Sequence, residues 1–119
     1  MMQGTGIGGT NMTTSTQMLK GILEGCLLSI ISEGEIYGYE MTKKLAHYGF
    51  DQISEGSIYP ILLRMQKEQL VTTVTKASAS GPKRKYYTLT QAGEQALTEF
   101  ITRWSELSKN VNCLLQKGK

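Results

Sequence analysis

The chain has 119 residues, of which 39% are hydrophobic and 19% charged, and a formal net charge of +3. This length suits one domain with a modest core, and the composition excludes a wholly disordered polymer once the uncharged start is set aside. No basic stretch followed by an apolar core opens the chain, and the longest uncharged apolar run, Gly25 to Ser32, is too short to span a bilayer, so no membrane partner and a cytoplasmic location are expected.

Residues 1–15 contain four glycines and no charge. Such a segment cannot bury enough apolar surface to offset its ordering entropy, and it reads as a flexible N-terminal arm or a non-native remnant, with Met12 a candidate natural start. From Thr16 to Ser32, Met18, Leu19, Ile22, Leu23, Cys26, Leu27, Ile30 and Ile31 recur at three- and four-residue intervals, which predicts a buried helix. Thr14, Ser15 or Thr16 can cap it, and Gly34 ends it. A second helix is predicted from Tyr37 to His47, with Gly49 as its stop.

The third helix is expected between Ser54 and Gln69, with Ile58, Ile61, Leu62 and Met65 inward. Its start is open: Ser54 is a good cap by type, but Pro60 would then fall inside the helix, so Ser57 competes. Leu70–Thr75 and Lys85–Leu89 read as two strands joined by ASASGPKRK, a hairpin with Lys83, Arg84 and Lys85 near its tip or on its second arm. Thr90 then caps a final helix of about 25 residues, roughly 37 Å long. Its Leu97, Phe100, Trp104, Leu107, Val111 and Leu114 fall on heptad a and d positions, widened by Ala96, Ile101 and Leu115. A helix that long outreaches so small a core, and a partner is needed to cover the rest.

The expected fold is therefore mainly α with a small β-hairpin. It is a winged helix-turn-helix over residues 16–89 followed by a C-terminal dimerisation helix over 90–119. Charge is distributed accordingly. Residues 1–42 carry one lysine against four glutamates, whereas residues 43–85 carry eight basic side chains against three acidic ones. A polyanion would meet this middle third, with Arg64 and Lys67 on the third helix and Lys83, Arg84 and Lys85 on the wing as candidate contacts to double-stranded DNA.

Four local motifs resemble one family, the PadR-like transcriptional regulators, in particular the short members with a single C-terminal helix. They are Met18-Leu19-Lys20-Gly21, Tyr37-Gly38-Tyr39-Glu40, Gly56-Ser57-Ile58-Tyr59-Pro60 with Leu63-Arg64, and the run from Gly81 to Thr90 with Gly93. The resemblance implies a homodimeric repressor of operator DNA, with Tyr37, Tyr39, Ser57, Tyr59, Pro60 and Arg64 at or beside the DNA. In some multidrug-sensing relatives a tryptophan of the last helix stacks on flat compounds at the dimer interface. Phe100 and Trp104 match that pattern, which implies release by an aromatic or amphiphilic effector. One departure stands out. The family usually has glycine where this chain has Gln69, so the turn into the first strand is expected to differ.

Other residues support no further chemistry. Cys26 and Cys113, far from any zinc or redox spacing, are expected to be buried free thiols, although the family's packing would let them approach across a dimer. The lone His47 has no ligand cluster, so no metal and no cofactor are expected. With no nucleophile–base arrangement, paired carboxylates or phosphate-binding loop, the chain is not expected to be an enzyme. The rival reading is a winged-helix module that binds protein and never meets DNA.

Overall fold

The computed structural model describes residues 18–19 and 21–117. The expected N-terminal arm and the three candidate caps at Thr14, Ser15 and Thr16 lie outside them. In chain order the elements are α1 (Leu23–Ile31), β1 (Ile36–Tyr37), α2 (Gly38–His47), α3 (Glu55–Lys67), β2 (Val71–Ser78), β3 (Gly81–Leu89) and α4 (Gln91–Leu115).

The first predicted helix is not continuous. Residues 18–19 are helical, but Gly21 and Ile22 form a turn, and α1 restarts at Leu23 with Ile22 as a non-helical cap at φ −120°. Glycine costs a helix interior about 1 kcal/mol relative to alanine, so the break falls where the helix is weakest. α2 begins at Gly38, because Tyr37 serves as its cap and its backbone N–H donates to the Glu40 carboxylate at 3.3 Å. It ends as expected at Gly49. The Gly49 N–H donates to Ala46 and the Phe50 N–H to Leu45, a closure that requires the left-handed φ of +99°.

α3 starts after Ser54, not Ser57, and tolerates Pro60 in its second turn. The ring removes the donor that would reach the Gly56 carbonyl, but both residues are exposed, and water can satisfy that oxygen. At its far end, the Gln69 N–H donates to Gln66 and the Leu70 N–H to Met65. The expectation that Gln69 alters this turn is overturned. Gln69 itself adopts the left-handed conformation at φ +62°, so the turn is kept at a conformational cost. Gln69→Gly is expected to raise stability by about 0.5–1 kcal/mol, the left-handed penalty less the entropy a glycine adds to the unfolded chain. Thermal unfolding of the two proteins at equal concentration checks it.

The hairpin is longer than the sequence suggests. β2 and β3 pair antiparallel from Val71↔Leu89 to Ser78↔Gly81, with a register shift between Lys76 and Ser78, so only Ala79 and Ser80 remain as a turn. Lys83, Arg84 and Lys85 thus stand on the second arm. A third strand, β1, pairs Ile36 with Tyr87 and Tyr37 with Tyr86, giving a sheet of order β1-β3-β2.

The core joins Leu27, Leu28 and Ile31 of α1 to Met41 and Leu45 of α2 and to Ile58, Leu62 and Met65 of α3, closed by Val71 and Tyr87 from the sheet. α4 is capped by Thr90, whose hydroxyl accepts from the Gly93 N–H at 3.0 Å. Its first half packs on α1, the Phe100 ring filling the space that a side chain at Gly25 would need. Its second half projects, leaving Trp104, Leu107, Val111, Leu114 and Leu115 exposed.

Candidate nucleic-acid interface

Because α3 buries Ile58, Leu62 and Met65, helical geometry turns Gly56, Pro60, Leu63 and Lys67 outward, and all four lie open to solvent along the crest or its margin. Two grooves flank this crest. The first, of about 640 Å³, lies between α3, the start of α2 and the wing, and it gathers Tyr37, Tyr39, Tyr59, Lys83, Arg84 and Lys85. The second, of about 810 Å³, lies between α3, α1 and α4 and takes in Ser57, Pro60 and Arg64 together with Glu24, Phe100 and Arg103. The residues predicted for DNA contact are therefore divided between two flanks of one helix, with Lys67 exposed in its last turn.

Aromatic rings hold the wing cations. The Arg84 guanidinium lies 4.5 Å over the Tyr37 ring, whose edge meets Tyr86 with centroids 5.2 Å apart. Lys85 stands 5.9 Å from the Tyr87 ring, and Lys43 5.3 Å from that of Tyr39. A ring face positions a cation without neutralising it. Carboxylates act differently. Lys44 pairs with Glu33 and Lys76 with Glu35, each at 2.5 Å, and Arg64 pairs with Glu24. The acidic first third of the chain thus masks three cations of the basic middle third. Among the described residues, Lys43, Lys67, Lys83, Arg84 and Lys85 have no ion pair.

Arg64 is not among them. The sequence makes it the leading candidate for DNA contact, but its guanidinium is engaged by Glu24, and that hydrogen bond is the first cause holding its pKa above the usual arginine value. A phosphate must displace or share with Glu24. Two variants should therefore move in opposite directions when binding to duplex DNA is followed by fluorescence anisotropy. Arg64→Ala is expected to weaken binding about threefold to tenfold, and Glu24→Gln to strengthen it by a few fold.

The Tyr59 hydroxyl donates to Glu55 Oε2 at 2.9 Å, and this bond, ahead of burial, raises its pKa. It stays protonated at neutral pH with its one donor already used. Tyr39, 49% exposed, carries no such bond to a carboxylate among the described residues. Tyr86 and Tyr87 pack in the sheet, Tyr87 buried. Leu63, outside the inward set of Ile58, Ile61, Leu62 and Met65 and not among the predicted contacts, is 53% exposed on the crest.

A third cavity, of about 540 Å³, lies between α1, the end of α2 and α4, lined by Cys26, Tyr48, Phe50, Phe100, Ile101 and Trp104 among others. The aromatic pair expected to bind an effector is therefore on one wall, and Tyr48 and Phe50, not singled out in the sequence, are on the other. The cysteines are not both buried as expected. Cys26 is half-buried, with burial raising its thiol pKa, and Cys113 is exposed on the projecting half of α4. Among the described residues no cluster of His, Cys, Asp or Glu could hold a metal, and no helix is long and apolar enough to cross a membrane.

Three helices on a hairpin wing, followed by a long helix, define a winged helix-turn-helix protein. The sequence model of the Transcriptional regulator PadR-like family matches residues 27–99, and the chain belongs to that family. It is 59% identical to a PadR-like transcriptional regulator of Bacillus cereus strain ATCC 14579 of known crystal structure, covering 84% of this chain and 97% of that one with a TM-score of 0.74. A Streptococcus transcriptional regulator is similar at 42% identity, covering 85% and 99% of the two chains with the same TM-score of 0.74. The Negative transcriptional regulator PadR of Bacillus subtilis is 27% identical over 92 residues, 76% of this chain but half of that longer protein. Regulators of this family bind DNA and act as dimers, and they are not enzymes.

Proposed function

We propose that this chain acts as a homodimer that represses transcription by binding a partly palindromic duplex operator through α3 and the wing. It lets go when a flat aromatic or amphiphilic compound enters the cavity beside Phe100 and Trp104. The observation that carries the reading is the wing: Lys83, Arg84 and Lys85 stand beside the α3 crest without an anionic partner among the described residues. The DNA-facing set is Tyr37, Tyr39, Ser57, Tyr59, Pro60, Arg64, Lys67, Lys83, Arg84 and Lys85. Wing cations meet phosphates, while the crest of α3 faces the major groove.

The projecting half of α4 supports pairing. Leu107, Val111 and Leu114, with Trp104 before them, form an exposed apolar stripe at heptad spacing, the pattern of a helix that pairs with another. Together with Leu97 and Phe100 they are the proposed dimer seam, which sets two α3 helices one DNA turn apart, about 34 Å. The negative regulation named for the Bacillus subtilis relative supports the sense of control.

Sedimentation combined with DNA titration tests the proposal. A dimer at micromolar concentration is expected, with log affinity for duplex DNA falling against log salt by about 0.9 per phosphate engaged. A monomer would overturn the pairing. A shallow slope would favour a module that binds protein. Trp104 is the single tryptophan, so quenching by flat aromatic compounds reports the effector cavity directly.

A further inference from the structure

The crest of α3 is unlike its flanks. Gly56, Pro60 and Leu63 follow one another along it ahead of the charged Lys67, and none of these three side chains can donate or accept a hydrogen bond. Apart from Lys67, the charged and hydroxylic groups lie in the two grooves whose walls these residues share: Tyr59 and the wing cations in one beside Leu63, Ser57 and Arg64 in the other beside Gly56 and Pro60. Arg64, the side chain best suited to reading guanine, is drawn away toward α1 by Glu24. Leu63 is 53% exposed, although the apolar residues that flank it on the helix, Leu62 and Met65, are fully buried.

We infer that Leu63 reads the C5-methyl group of a thymine near the centre of each operator half-site, a step that rests on the DNA-binding function proposed for α3 and the wing. The major-groove edges of the bases present hydrogen-bonding groups and one apolar group, the thymine methyl. A leucine side chain pressed onto the groove floor gains only from that methyl, and leaves the amino groups and carbonyls of other bases desolvated and unpaired. Gly56, lacking a side chain, and the compact Pro60 ring let the first turns of α3 sit close to the floor. The flanking cations then bind the two phosphate strands without choosing a sequence.

The test uses the full-length protein and a random-sequence duplex library. Selection should enrich a thymine at a fixed place in each half-site. Replacing that thymine by deoxyuridine, which removes only the methyl, should weaken the wild-type protein about fourfold per half-site, the worth of one methyl withdrawn from apolar contact. Leu63→Ala should bind the thymine and uracil duplexes equally and lose enrichment at that position alone. Since Leu63 is exposed, its truncation leaves the core intact, which circular dichroism checks.

The inference is overturned if no thymine-to-uracil exchange affects the wild type, or if Leu63→Ala responds to the exchange as the wild type does. Steeply salt-dependent binding with no enriched sequence also overturns it, while leaving the DNA-binding function standing. Failure to bind any duplex would instead remove that function, and this reading with it.

Discussion

Replacing Lys83, Arg84 and Lys85 together by alanine is expected to lower affinity for duplex DNA by a hundredfold or more near 0.1 M salt, because a dimer so altered would leave about six phosphates without their cations. The salt slope should become shallower by up to about 5, since each phosphate no longer neutralised takes about 0.9 from it. The fold should survive. Lys83 and Lys85 are exposed, and Arg84 is held chiefly by the Tyr37 ring. An unchanged thermal midpoint beside a collapsed slope would locate the defect in the interface. An unchanged slope would mean that the wing points away from DNA.

The largest effect on stability should come from Gly93→Ala. A β-carbon at this buried position would overlap the Leu70 carbonyl oxygen and come within 3.1 Å of the Leu89 side chain. The obstruction is backbone, pinned in turn because that oxygen accepts from the Thr90 N–H at 3.0 Å. It cannot swing aside as a side-chain tip would. A loss of about 2–3 kcal/mol is expected, lowering the thermal midpoint by roughly 10 °C or more in a protein of this size. Thr90→Ala, which removes both the cap on the Gly93 N–H and the hydroxyl's bond to the Gln69 carbonyl without adding bulk, should cost about 1–2 kcal/mol. If both variants melt alike, the close approach at position 93 is not what constrains the joint.

Why the helices and the wing could be read from sequence is plain from their residues. Periodicity over 10 or more positions marks α2 and α4, and Thr90 announces its own helix because a threonine hydroxyl ahead of a periodic run has one common use. Shorter or contextual features escape. β1 is only Ile36 and Tyr37, too few for an alternating pattern, and becomes a strand only because β3 offers an edge. The hairpin arms outrun the sequence pattern because Lys76, Ser78 and Lys83 have weak strand propensity, and cross-strand pairing overrides it.

The site is legible as a set of residues but not as an arrangement. Sequence places Tyr37, Tyr39, Tyr59 and the wing cations among the candidates, and the structure gathers them around one groove. It could not show that Glu24, forty residues away, holds Arg64, or that Leu63 shares a groove with the wing cations. Both follow from the rotational setting of α3 against the core, a property of packing rather than of local pattern. Gln69 is the instructive reverse: the residue departs from the family's habit while the backbone keeps its path.

Four elements are stitched at one spot. The Thr90 N–H bonds to Leu70, the Thr90 hydroxyl donates to the Gln69 carbonyl at 2.7 Å, and Gly93 presses on Leu70 where α3 ends and β2 begins. A long lever whose fulcrum has no slack cannot rotate alone. A change in the setting of the tail would therefore be carried to the root of the hairpin rather than absorbed at the joint.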